Sequence, residues 1–258
     1  MATIDFSIRN QVGFITLNRP EVFNSFNKEM ALLFQKTLDQ CADDDSVRAI
    51  YITGKGKAFC AGQDLQEVTD PNGPELTSIV EDHYNPIIAR IRAIEKPVIA
   101  AVNGVAAGAG ANIALACDIC VASEGASFIQ AFSKIGLIPD SAGTYFLPRL
   151  IGLQKATALM MLGDKVSATE AEGLGMIYQV FSAEAFEAEA TNIATKLASM
   201  PTKGLGLTKR ALNQTYSNDL NQQLTLEGEL QTIAGKTYDY NEGVAAFLEK
   251  RKPEFKGQ

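Results

Sequence analysis

Three stretches of the chain hold residues whose types and spacing can do chemistry. "NGVAAGAGANIAL" (103–115) sets Gly108 and Gly110 around Ala109, then places Asn112 where the loop turns helical. Glycines let a backbone come close to a ligand, and a helix N-terminus offers free N–H groups to negative charge. "KAFCAGQDLQEV" (57–68) follows a strand, turns through Ala61 and Gly62, and leaves Gln63 and Asp64 at a bend. One backbone N–H from each turn can converge on a single oxygen and form an oxyanion hole. "GLIPDSAGTY" (136–145) adds an acid, Asp140, behind Pro139 and ahead of a helical pattern. An Asp at such a place serves as a helix cap or as an acid/base, and local sequence leaves both open.

Other motifs fail on inspection. The G-x-G-x-x-G dinucleotide pattern breaks at Ile113, where the third glycine belongs. A phosphate loop through "GKGKAF" (54–59) lacks its first glycine, replaced by Tyr51, and its Ser or Thr, replaced by Ala58. Cys117 and Cys120 have metal-ligand spacing but no second pair, so no metal is expected. With Cys41 and Cys60 they read as free thiols of a reducing compartment. The single histidine, His83, has no Ser or Cys constellation and reads as a surface or pocket-wall residue.

The elements that must position these groups follow from pattern. "VGFITLN" (12–18), "VRAIYITG" (47–54), "PVIAAVNG" (97–104) and "DICVAS" (118–123) read as strands. Met30, Leu33, Phe34 and Leu38 repeat at helical spacing behind Asn27, a cap. Strands separated by helices indicate an α/β fold with mainly parallel pairing. Residues 67–77 read as a mobile loop. Helical patterns cover 184–199, 203–216, 219–234 and 240–251, an assembly module after the core. The chain divides into a core with the active site (1–198) and a C-terminal helical oligomerisation region (199–258).

The 258 residues are 46% apolar and carry a net charge of −7, which opposes non-specific nucleic-acid binding. No apolar run is long enough for a membrane span, and the first residues lack a secretion-signal pattern, so a cytoplasmic setting is expected.

"LNRPEVFNSF" (17–26), "FCAGQDL" (59–65), "AAVNGVAAGAGANIALACDI" (100–119), "FSKIGLIPDSAGTYFLPRLIG" (132–152) and "EGVAAFLEKRKPEF" (242–255) together resemble the crotonase (enoyl-CoA hydratase/isomerase) superfamily, in order and across nearly the whole chain. The resemblance implies a spiral of ββα turns followed by helices that build homotrimers, often paired into homohexamers. It also implies an acyl-CoA thioester as substrate, with coenzyme A arriving as part of it and no separate cofactor. By position, the oxyanion donors would be the N–H groups of Gln63 and Ala109, with Gly108 and Gly110 allowing close approach. Ala61, Gln63, Asp64 and Leu65 would surround the adenine, and Phe247 and Lys250 would reach it from a neighbouring subunit. Lys250 reads equally as a solvated tail lysine. Glu21 stands where many relatives carry a basic residue, leaving Arg19 as the phosphate contact of that loop.

The family's hydratases use two glutamates to activate water, and the matching positions here hold Asn112 and Phe132. Neither can take a proton near neutral pH. Asp140 matches a position used catalytically by several isomerases, and Phe132, Leu137 and Ile138 would give it apolar surroundings that raise its pKa. The expected activity is therefore isomerisation of an acyl-CoA. "FCAGQDL", "NGVAAGAGA" (103–111), "AFSKIGLIPD" (131–140), "MIYQV" (176–180) and "PTKGLGLTK" (201–209) resemble enzymes that rearrange an epoxidised phenylacetyl thioester to an oxepin, and a 3-enoyl to 2-enoyl shift uses the same parts. Three alternatives stay open: a hydratase using Asp140 alone, an aryl-CoA dehalogenase with Asp140 as nucleophile, and a non-catalytic binding protein.

Overall fold

The β-branched runs form the larger of two sheets, and shorter strands form the other. In this computed structural model, which describes residues 2–258, β1 (Ile4–Arg9) and β2 (Val12–Leu17) form an antiparallel hairpin. Helix α1 (Lys28–Asp43) follows, and Asn27 caps it by accepting the Met30 N–H. A strand–strand–helix unit then repeats three times. Strands β3 (Ala49–Gly54) and β4 (Ala58–Cys60) lead into α2 (Leu65–Thr69), α3 (Leu76–Ser78), a π-helical turn over Ile79–Tyr84, and α4 (Asn85–Ala93). Strands β5 (Val98–Val102) and β6 (Val105–Ala107) lead into α5 (Ala109–Ala116). Strands β7 (Ile119–Ser123) and β8 (Ser127–Ile129) lead into α6 (Gly143–Ile151) and α7 (Leu153–Leu162). The remaining elements are β9 (Lys165–Ser167), α8 (Ala168–Gly173), β10 (Gln179–Phe181), α9 (Phe186–Ala198), α10 (Thr202–Leu212), α11 (Leu220–Ala234) and α12 (Tyr238–Glu249).

The first strand of each repeat joins a six-stranded sheet of order β1-β2-β3-β5-β7-β10, and the second joins a four-stranded sheet of order β4-β6-β8-β9. Pairing between successive repeats is parallel, as the alternation of strands and helices predicts. Strand β5 is apolar at every position because both of its faces are covered. Val98, Ala100 and Val102 join the core cluster shared with α1 and α4, while Ile99 and Ala101 pack with Phe186, Ala190 and Ala194 of α9.

The expected strands and the four late helices form within a few residues of their predicted bounds. Residues 67–77 differ from the loop expected there: α2 covers their start, and α3 begins at Leu76. The cause is Asp64, whose side chain accepts the Gln66 N–H and caps a helix too short to show a period. Among the described residues no helix is long and apolar enough to cross a membrane.

The late helices are tied to the core through a buried cation. Lys209 of α10 donates to Asp118 Oδ2 at 2.8 Å and to the Ile91 carbonyl at 2.6 Å. Arg92 holds the other oxygen of Asp118 at 3.0 Å and reaches Asn213. Because Lys209 is 7% exposed, removing it strands part of the Asp118 charge. Lys209→Ala is expected to destabilise the fold by about 2 kcal/mol, read as a lower urea midpoint. Lys203→Ala, at a more exposed pair with Glu95, should change it by less than about 0.5 kcal/mol.

Candidate active site

The site forms where three parallel strands of the smaller sheet end side by side. Strand β4 pairs with β6 in parallel, Cys60 against Ala106, and β6 pairs with β8, Ala107 against Ile129. Neighbouring strands lie about 4.8 Å apart, so the chain leaving each arrives within reach of the next. The turn after β4 carries Gln63, the turn after β6 carries Ala109, and the segment after β8 carries Phe132 and Asp140. A bulge offsets β4 by one residue between Ala58 and Cys60.

Both expected donors point away from protein partners. Among the described residues, neither the Gln63 N–H nor the Ala109 N–H has a protein acceptor. The direction of the first is set on its own peptide. The Phe26 N–H donates to the Gly62 carbonyl at 2.7 Å, and a trans peptide points its N–H the opposite way. Gly62 sits at φ +94°, and a Cβ there would lie 3.1 Å from the Ala107 carbonyl oxygen and 3.6 Å from the Ala109 nitrogen. That contact brings the two turns together. Gly108 takes φ 53° and ψ −128°, a conformation open to glycine, and thereby turns Ala109 to start α5. The helix dipole adds positive potential at the same point.

Gly110 has a different task from the one expected. A Cβ there would fall 2.3 Å from the Cys60 carbonyl oxygen, so this glycine lets α5 sit against β4 rather than admitting ligand.

Asp140 does not cap α6. That helix starts at Gly143 with Ala142 as its cap residue and no side-chain cap bond. The acid instead lies half-buried beside the first turn of α5. Burial raises its carboxyl pKa above the ordinary aspartate range, and a hydrogen bond from the Ser141 hydroxyl, 2.9 Å from Oδ1, partly opposes the shift. Phe132 is 7% exposed and stands next to Gly108. Leu137 and Ile138 do not supply the apolar surroundings expected of them, since they are 38% and 82% exposed.

Asn112 also departs from the substrate-binding role expected of it. It is 1% exposed, its Nδ2 donates to the Asp140 carbonyl at 2.9 Å, and its Oδ1 accepts from Gln130 at 2.8 Å. The side chain where hydratases place a glutamate here holds the backbone of the acid.

The outer residues separate into free and committed groups. The Asp64 carboxylate pairs with Arg19 at 2.8 Å and caps α2, and its N–H donates to the Phe26 carbonyl, so it has little left for adenine. Arg19, held by Asp64 and the Ser25 carbonyl, is likewise unavailable as the phosphate contact expected of it. Among the described residues the Ala61 carbonyl and the Leu65 N–H have no protein partner. Phe247 (83% exposed) and Lys250 lie on the outer face and end of α12. Cys117 and Cys120 are buried thiols with raised pKa values, that of Cys117 pushed up to about 12. Among the described residues no cluster of three His, Cys, Asp or Glu could hold a metal.

The sequence carries no signal for Tyr84, and it leaves His83 between a surface and a pocket-wall place. Both are buried, at 1% and 3% exposure, at the end of the π-helical turn. His83 is therefore no surface residue, and burial lowers its pKa and keeps it neutral. The Tyr84 hydroxyl donates to Gln63 Oε1 at 2.7 Å. No local pattern announces a π-turn, so the pair was invisible in sequence.

The family model described as enoyl-CoA hydratase/isomerase matches residues 7–258. The chain is 50% identical over 254 residues to the 1,2-epoxyphenylacetyl-CoA isomerase of Escherichia coli, covering 97% of each. It is 41% identical to a probable enoyl-CoA hydratase of Rhodobacter capsulatus, covering 99% of this chain and 98% of the other. A crystal structure of a putative enoyl-CoA hydratase/isomerase from Mycobacterium abscessus superposes with a TM-score of 0.93 at 36% identity, over 99% of this chain and 100% of that one.

Two outcomes follow from this geometry. A carboxyl whose pKa is raised by folding stabilises the fold when protonated, and that contribution is lost as pH rises through the folded pKa. Asp140→Asn should therefore melt no lower than the unaltered chain at pH 7. The difference should shrink as pH falls through the raised pKa toward the ordinary aspartate value. Asn112→Ala leaves the buried Gln130 amide without a partner and the Asp140 carbonyl with the Gly143 N–H alone, and is expected to lower stability by about 2 kcal/mol in denaturant titration.

Proposed function

The chain belongs to the enoyl-CoA hydratase/isomerase family, and we propose that it is an acyl-CoA isomerase with a single carboxylate as its proton carrier. The amides of Gln63 and Ala109 grip the thioester carbonyl oxygen, which acidifies the adjacent carbon. Each such donor contributes about 3 kcal/mol as the oxygen takes on enolate charge. Asp140 removes a proton from one carbon of the acyl group and returns it to another. Its raised pKa suits both halves of that transfer.

The observation that carries this reading is the acid count. One desolvated carboxylate stands by the first turn of α5, while Asn112 is spent on its backbone and Phe132 has no polar atom. Activating water by the family's two-carboxylate route has no residues to use. An isomerisation needs one group that takes a proton and gives it back.

For the acyl group we favour an epoxidised phenylacetyl thioester, the substrate named for the relative at 50% identity. Opening of its three-membered ring to an oxepin is an isomerisation in which no atom enters or leaves. Enolate character held by the two amides assists that opening, and a 3-enoyl to 2-enoyl shift is a side activity. Coenzyme A comes with the substrate, its adenine met by the Ala61 carbonyl and the Leu65 N–H, and no other cofactor takes part. Phe247 and Lys250 contribute from a neighbouring protomer of a trimer or hexamer built on residues 199–258, in the cytoplasm.

Mass spectrometry of products formed in H₂¹⁸O tests the reading. With a 3-enoyl-CoA and with the epoxide generated in situ, the product should keep the substrate's mass, and Asp140→Asn should cut turnover about a thousand-fold. Rapid incorporation of labelled oxygen into crotonyl-CoA, without isomerised product from the 3-enoyl thioester, would overturn it.

A further inference from the structure

Gln63 is committed through its side chain as well as its backbone. Its Oε1 accepts from the Tyr84 hydroxyl at 2.7 Å, and its Nε2 donates to Glu67 Oε2 at 2.9 Å. The other carboxylate oxygen of Glu67 accepts the Lys28 N–H at 2.9 Å, at the first residue of α1. The amide thus hangs between a phenol fixed on one helix and a carboxylate fixed to another. Gln63 is only half-buried, so its amide does not need these two partners to replace water. The arrangement orients a residue that could otherwise have faced water.

The preceding residue explains why orientation matters. Gly62, at φ +94°, has the widest backbone freedom of any residue, so the 62–63 peptide is prone to rotate and carry the Gln63 N–H out of line. The Phe26 bond to the Gly62 carbonyl restrains one end of that peptide. A side chain anchored at both of its polar atoms restrains the other.

The placement of Tyr84 shows a structural cost accepted for this purpose. It ends the π-helical turn Ile79–Tyr84, and such turns widen the helix and forgo regular hydrogen bonding. The turn puts two successive side chains, His83 and Tyr84, inside together. The Tyr84 ring meets Phe26 edge-on at 6.0 Å, and Phe26 in turn forms a single β-bridge with Gln63, so the phenol is packed against the segment paired with the turn that it steadies.

We propose that Tyr84 and Glu67 are positioning residues for the oxyanion hole, acting through the Gln63 side chain to hold its N–H on the thioester oxygen. The role rests on the acyl-CoA reading above, but the restraint itself is a property of the chain. Burial keeps the Tyr84 phenol pKa well above its ordinary value, so the hydroxyl remains a donor throughout the working pH range.

The test uses Tyr84→Phe, which keeps the ring and its packing, together with Glu67→Gln, Gln63→Ala and the Tyr84→Phe/Gln63→Ala pair. Turnover of a 3-enoyl-CoA should fall about ten-fold in Tyr84→Phe with KM changed less than about two-fold, because a misaimed donor is lost mainly in the transition state. The melting temperature should stay within about 3 °C. Gln63→Ala should show a similar loss, and the double variant should lose no more than either alone. Hydrogen–deuterium exchange of the 61–66 segment should quicken in Tyr84→Phe and Glu67→Gln, whether or not the thioester is turned over.

Multiplying losses in the double variant would mean that Tyr84 acts independently of Gln63 and would sink the proposal. So would unchanged exchange at 61–66, or a fall in melting temperature that accounts for the activity loss. An unaltered chain that isomerises no thioester defeats the functional reading alone, and the exchange measurement still decides the restraint.

Discussion

The bond from the Phe26 N–H to the Gly62 carbonyl is the constraint on which the site depends. A peptide unit is rigid, so fixing its oxygen on one side fixes its hydrogen on the other. Loop residues 17–26 exist structurally to supply that bond and its neighbours. The Phe23 carbonyl takes the Ala61 N–H, the Phe26 carbonyl takes the Asp64 N–H, and Arg19 ties Ser25 to Asp64. The Ala61 and Asp64 N–H groups and the Gly62 carbonyl are thereby used up. The open amide is what remains.

Around that donor pair the electrostatics favour one acid. Two carboxylates sharing a desolvated pocket repel, and each raises the pKa of the other. Here the second is replaced by an uncharged amide that grips the main chain of the first, and Gly143 has no side chain because a Cβ would collide with Asn112. The strained stretch Ser141–Ala142, with φ of 49° and 56°, is held in place by this contact and by the Gly143 N–H bond to the Asp140 carbonyl. Backbone conformation rather than a charged partner thus aims the acid.

The sequence made the long elements legible because they carry a period: the buried strands of the larger sheet, the capped α1 and the late helices. The turns that carry Gln63, Ala109 and Asp140 were legible as turns, since glycines and a proline mark places where the main chain changes direction sharply. The smaller sheet was not, because strands of three residues such as Ala58–Cys60 are too short to alternate visibly. The commitments of Asp64, Arg19 and Asn112 were hidden for another reason. A side chain's partner is decided by what lies across the fold, 45 residues away for Arg19 and Asp64 and 28 for Asn112 and Asp140. Residue type states what a group can do, and only packing states what it has already been asked to do.

The bulge between Ala58 and Cys60 makes the site a gauge of strand alignment. One residue along a strand is about 3.3 Å, which exceeds the length of a good hydrogen bond at about 2.9 Å. If β6 slid by a single step against β4, the Ala109 amide would miss any oxygen that the Gln63 amide still held. A chain folded with that slip could keep nearly all of its apolar burial in the larger sheet and yet be chemically inert. Loss of function would then precede any visible loss of fold.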